Sequence, residues 1–155
     1  MSIDESKSSS AEYRRAFPVR CIECGAKEVR PAVISCDLER NHDGKLYRLH
    51  IPELRVHRCG KCGEMLFDQE ADEQVLAALR MEIGLLSPEE IRSQLDHLEL
   101  SQKEFAGRLG VAPESVSRWL NGAMVQSRLA DNAMRWFFGI PAVRQAAGAV
   151  RQRTG

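Results

Sequence analysis

Leu100-Ser101-Gln102-Lys103-Glu104-Phe105-Ala106-Gly107-Arg108-Leu109-Gly110-Val111-Ala112-Pro113-Glu114-Ser115-Val116-Ser117-Arg118-Trp119-Leu120-Asn121-Gly122 packs two helix starts and two helix stops into 23 residues. Ser101 and Glu104 stand at capping-box spacing, and Gly110 is placed to end the helix they open. Pro113 suits the first position of a second helix, whose apolar face is Val116, Trp119 and Leu120 and whose stop is Asn121-Gly122. Ala106 is small where two helices must cross closely, Gly110 permits a sharp turn, and Val116 packs underneath. This is the spacing of a helix-turn-helix. Two core helices in an arbitrary bundle would explain the apolar residues, but not the small and turn residues at all these offsets together.

Working outward, Leu129, Ala133, Met134, Phe137 and Phe138 recur at helical spacing with Trp136 beside them, until Gly139 and Pro141 interrupt. One face of so short a helix cannot bury all these aromatics, which points to a homodimer contact. The basic tail Arg144 to Arg153 reads as solvated. Upstream, Ser87-Pro88-Glu89-Glu90 opens a helix with Ile91, Leu95 and Leu98 on one face. Before it, Asp68 can cap an acidic helix with Val75, Leu76, Leu79 and Ile83 on its apolar face and Gly84 at its end.

The first half is organised by two Cys-x-x-Cys pairs, Cys21-Ile22-Glu23-Cys24 before Gly25 and Cys59-Gly60-Lys61-Cys62 before Gly63. Four thiolates at this spacing can surround one tetrahedral Zn2+ and leave no open position for water, so one structural zinc per chain is expected. Gly25, Gly60 and Gly63 supply the tight turns and positive φ of such knuckles. Between the pairs, Ile34, Cys36 and Leu38 alternate with polar residues, as do Tyr47, Leu49 and Ile51 after Asn41-His42-Asp43-Gly44, which is a β-hairpin pattern. Leu54 to His57 is expected as a third short strand, giving a zinc ribbon. Cys36 reads as a small inward hydrophobe, and His42, His50 and His57 as strand or surface histidines, because four cysteines complete the shell.

The expected fold class is therefore α+β: a β-hairpin zinc ribbon joined by a helix to an all-α helix-turn-helix domain of about five helices. The boundaries are a flexible arm over 1–18, a four-cysteine domain over 19–67, an acidic linker helix over 68–86, and a DNA-binding and dimerisation domain over 87–155. Equal numbers of basic and acidic side chains, 22 each, conceal a pattern: residues 1–63 carry net +3, 64–100 carry −8 and 101–155 carry +5. A basic C-terminal block can supply phosphate contacts despite the neutral total. No apolar run is long enough to span a bilayer, and the polar, serine-rich start has no secretory pattern, so a cytoplasmic location with reduced thiols is expected. No nucleophile–base or histidine–carboxylate arrangement appears, so no catalytic residue is assigned and an enzyme is not expected.

The stretch from Ser101-Gln102 to Ser117-Arg118-Trp119-Leu120-Asn121-Gly122 resembles the phage-repressor-like (Cro/XRE) helix-turn-helix family. The resemblance implies that Gln102 meets a phosphate at its helix N-terminus and that Pro113, Glu114, Ser115 and Arg118 begin the helix that enters the major groove. Arg118 can give two parallel hydrogen bonds to guanine O6 and N7. Two readings of Glu114 stand: acceptor for a cytosine amino group, or favourable charge at its helix N-terminus. Ser117 and Arg128 would touch phosphates.

Taken whole, the two knuckles, the hairpin, the acidic helix and the recognition helix resemble the MqsA (YgiT-type) antitoxin family over about Val19 to Ala147. That resemblance implies a type II toxin–antitoxin autorepressor, which binds double-stranded operator DNA through one domain and a small ribonuclease toxin through the zinc domain. The alternative is a stand-alone zinc-ribbon regulator. Residues 1–18 and Glu114 depart from the family pattern, the second leaving the operator sequence open.

Overall fold

The computed structural model describes residues 16–148; most of the N-terminal arm and the last part of the basic tail lie outside them. The order is β1 (Val29–His42), β2 (Lys45–Cys59), β3 (Met65–Leu66), α1 (Gln69–Ile83), α2 (Pro88–His97), α3 (Gln102–Leu109), α4 (Pro113–Leu120), α5 (Arg128–Gly139) and α6 (Pro141–Ala146). The class is α+β, with a three-stranded sheet ordered β1-β2-β3 followed by helices.

The hairpin is longer than the alternation alone suggests. His42 pairs with Lys45, so Asp43-Gly44 is a two-residue turn, and both residues have positive φ, 49° and 73°. That is what a type I′ turn needs, and its twist matches that of the strands. Leu54 to His57 is not a separate strand but the second half of β2, and the third strand is the short pair Met65–Leu66 against His57 and Arg58. A bulge explains the misreading. Ile34 faces Leu54 and Cys36 faces Ile51, so Pro52 and Glu53 together stand opposite Ser35. Pro52 has no N–H to give to the ladder, and the extra residue shifts the alternation by one. Leu49 and Ile51 before the bulge, and Leu54 and Val56 after it, thereby stay on one face and are all buried.

Helix α1 covers that face. Ala71, Val75, Leu79 and Ile83 join the four strand residues and Leu85 in one core, with Ala32, Ile34, Cys36 and Leu38 of β1 packed at its margin. The acidic helix is thus half of the hairpin's core rather than a spacer. Gln74 also reaches the sheet, accepting from the Arg55 amide at 2.8 Å and donating to the Glu53 carbonyl at 3.0 Å. Val29 and Cys59, paired with each other and of opposite parity to Ala32 and Val56, turn to the other face and form a separate small cluster with Cys21.

Helices α2 to α6 surround a second core of Ile91, Leu95, Phe105, Ala106, Val116, Trp119, Leu120, Met134 and Phe137. Phe105 meets Phe137 edge-on at 5.4 Å and stacks on Phe138 at 5.3 Å, arrangements that add to area burial. Capping boxes at Ser87/Glu90 and Ser101/Glu104 start α2 and α3, and Gly84 and Gly110 end α1 and α3 in the left-handed conformation. Arg144 is not free in solvent: its guanidinium donates to the carbonyls of Phe137 and Phe138 at the end of α5, at 3.1 and 3.0 Å.

Candidate metal centre and nucleic-acid interface

The two knuckles fold alike. In each, the glycine after the second cysteine donates its amide to the first cysteine's carbonyl at 3.0 Å, Gly25 to Cys21 and Gly63 to Cys59. Both glycines have φ in the left-handed region, 74° and 79°, where a side chain would be strained. Gly60 serves differently from the expectation. It lacks positive φ, and its amide donates to the Glu28 carbonyl at 2.9 Å. A Cβ there would lie 3.1 Å from the Glu28 carboxylate, so Gly60 is small for close approach.

The turns bring Cys21, Cys24, Cys59 and Cys62 together with all four Sγ atoms within 4.8 Å of one another. Cys21 to Cys62 and Cys24 to Cys59 are 3.6 Å apart, close to the edge of about 3.8 Å for a tetrahedron with metal–sulfur bonds of about 2.3 Å. The Cys62 amide holds the Cys59 thiol down to about 7 against the opposing effect of burial. At Cys62 the Glu64 amide pulls downward, but burial and the three neighbouring sulfurs together push the thiol up to about 12. Four sulfurs this close can all be thiolates only around a cation, so the donor set fits a thiophilic ion such as zinc. The histidines are engaged elsewhere: His50 bonds Asp37 at 2.6 Å, His57 stacks on Phe17 at 4.9 Å, and His42 reaches the Gln126 carbonyl at 3.0 Å.

In the helix-turn-helix, Phe105 and Ala106 of α3 and Val116, Trp119 and Leu120 of α4 are buried, which turns the other sides of both helices outward. Gln102, Pro113, Glu114, Ser117 and Arg118 are exposed and Ser115 is half-buried. Arg118 and Glu114 make no side-chain hydrogen bond or ion pair among the described residues, so both are free to meet a ligand. The Ser101 amide and hydroxyl hold the Glu104 carboxyl below its ordinary value. Arg92 of α2 donates to the Leu120 carbonyl at 2.7 Å, and the Met124 amide to the Arg118 carbonyl at 3.2 Å, fixing the far end of α4.

Arg128 is exposed, but its polar groups are already engaged within the chain. Its amide donates to Asp43 at the hairpin tip at 2.7 Å, and its guanidinium bonds the Ile83 carbonyl and lies 3.8 Å from Asp131. These bonds join the two halves, and the side chain stays 47% exposed. Around it lies a buried polar junction that sequence reasoning missed. Asp131, fully buried, accepts from the Leu86 amide at 2.8 Å, Gln126 at 3.1 Å and Arg135 at 2.7 Å. The nearest available signal was Arg80, a charge one turn beyond Leu76 and next to Leu79 on the apolar side of α1.

Residues 91–129, from α2 to the start of α5, match the family model described as helix-turn-helix. Among solved structures, one of Nitrosomonas europaea ATCC 19718, described as a "Putative DNA Binding Protein", aligns over 82% of this chain and 96% of its own, at 17% identity and a TM-score of 0.40. No curated protein matches the chain. Among the described residues no helix is long and apolar enough to cross a membrane. The chain thus contains a helix-turn-helix domain, the kind of module through which many proteins read DNA. It carries in addition a four-cysteine cluster able to hold a metal ion, built on a hairpin outside the matched residues.

Proposed function

We propose that the protein is an antitoxin and transcriptional autorepressor of a type II toxin–antitoxin operon. In this reading Cys21, Cys24, Cys59 and Cys62 hold one structural zinc, the hairpin half binds a small ribonuclease toxin, and no residue is catalytic. The observation that carries it is the union of a closed four-sulfur cluster with an outward α4 whose Arg118 is unpaired within the described chain. Closed thiolate sites support structure rather than chemistry, which leaves the hairpin half as a surface for a protein.

Pro113, Glu114, Ser115 and Arg118 enter the major groove, and Gln102 and Ser117 meet phosphates. Two copies bind together, in keeping with the exposed apolar side chains Leu129, Trp136, Ile140 and Val143 of α5, α6 and the joint between them, which are 75%, 51%, 45% and 38% exposed. Replacing Arg118 by Ala is expected to weaken operator binding by about 1–3 kcal/mol and to relax specificity at one base pair per half-site, with half-sites about one helical turn apart. An unchanged footprint would remove Arg118 from the reading helix. The toxin is tested by expressing the neighbouring reading frame alone and together with this chain. Toxicity relieved by co-expression supports the antitoxin; a harmless neighbour leaves a stand-alone regulator.

A further inference from the structure

The loop after α4 and the start of α5 carry much of the contact between the two halves, with Arg135 adding a bond to the Gly84 carbonyl at 3.0 Å, and three of the anchors fall at every second residue. Arg80 of α1, only 4% exposed, donates to the Met124 carbonyl at 2.7 Å. At Gln126 the backbone carbonyl can only accept, so the His42 Nε2 that meets it at 3.0 Å is the donor. At position 128 the Arg128 amide donates to Asp43 at 2.7 Å. All three anchors come from the hairpin half.

Arg80 is the least economical of them if stability alone is considered. Its Nε is buried with no partner among the described residues, and burial, only partly offset by Glu89, pulls the guanidinium below its ordinary value. A methionine would fill the same apolar site without desolvating a charge. What the charge does obtain is a hold on Met124, whose amide bonds the Arg118 carbonyl at 3.2 Å. A continuous path therefore runs from α1 to the last turn of the reading helix.

We propose that Arg80, with His42 and Asp43 at the hairpin tip, are positioning residues for DNA reading: the hairpin half sets the loop after α4 and, through Met124, the placement of Arg118. This rests on the DNA-reading role of α4 and adds that the hairpin half is part of the reading unit. The test uses the full chain as Arg80→Met, Arg80→Lys and Asp43→Ala, with metal content checked in each. Hydrogen exchange should show lost protection at the Met124 amide in Arg80→Met and at the Arg128 amide in Asp43→Ala. On the operator defined by footprinting the parent protein, Arg80→Met should lower the ratio of specific to random-duplex affinity roughly tenfold. Binding to random duplex should hold, and Arg80→Lys, whose ammonium can still donate to a carbonyl, should recover part of the loss. A Met124 amide that stays protected in Arg80→Met overturns the proposal, and so does an unchanged affinity ratio. If the parent protein shows no sequence preference at all, the DNA-reading role has failed instead, and exchange at Met124 still decides whether Arg80 positions the loop.

Discussion

Asp131→Ala is expected to lower the free energy of unfolding by about 3 kcal/mol, the low end of the range for removing one partner of a buried charged network. The side chain is fully buried. Its Oδ1 accepts from the Leu86 amide and from Gln126, which also donates to the Leu86 carbonyl at 2.8 Å. Alanine leaves the Leu86 amide without its acceptor, and an orphaned buried donor costs about 1–3 kcal/mol by itself. The charge contributes less, because Arg135 and Arg128 are about half exposed, at 46% and 47%, and can turn to water. Asp131→Asn should separate the two effects, since an amide oxygen can still accept from Leu86 while the attraction to Arg135 is lost. Urea unfolding followed by tryptophan fluorescence measures both variants. A loss below about 1 kcal/mol in the alanine variant would mean that water replaces the carboxylate, and that the buried junction does not depend on Asp131.

The junction also shows where sequence reading stops. The knuckles were legible because metal coordination imposes a short, fixed spacing, and the helix-turn-helix because caps, glycines and a small crossing residue all act locally. The α+β class followed from these. Which face of β2 is buried was not legible as one strand: Leu49 and Ile51 obey one parity and Leu54 and Val56 the other, and only the bulge at Pro52-Glu53 reconciles them. Pro52 was the available sign. The partner of α1 was hidden for another reason. A periodic face tells that a helix is covered, not by what, so Val75 and Leu79 looked the same whether they faced a neighbouring domain or the hairpin behind them. Asp43 and Arg128 are 85 residues apart, and their contact depends on hairpin length and helix placement together. No local pattern encodes it.

Cys59→Ser is expected to abolish stoichiometric metal binding and unfold the knuckles, yet leave the rest of the hairpin in place. Serine replaces a thiolate with a hydroxyl that remains protonated at neutral pH and is a poor ligand for a thiophilic ion. Apparent binding energies of about 10–16 kcal/mol for structural zinc indicate how much folding free energy such a site can supply. Without the ion little remains to hold that end, because its cluster has only Cys21, Val29 and Cys59 fully buried. The main hairpin core is different, with nine buried residues shared between β2, α1 and Leu85 and none of the four cysteines among them. Elemental analysis of the parent protein should find one zinc per chain. In Cys59→Ser the amides of Gly25 and Gly63, which close the knuckle turns, should exchange freely, while strand amides around Leu49 and Leu54 keep their protection. Finding no metal in parent protein purified under reducing conditions would falsify the site. Loss of protection along the whole hairpin would instead show that the metal, and not α1, holds β1 and β2 together.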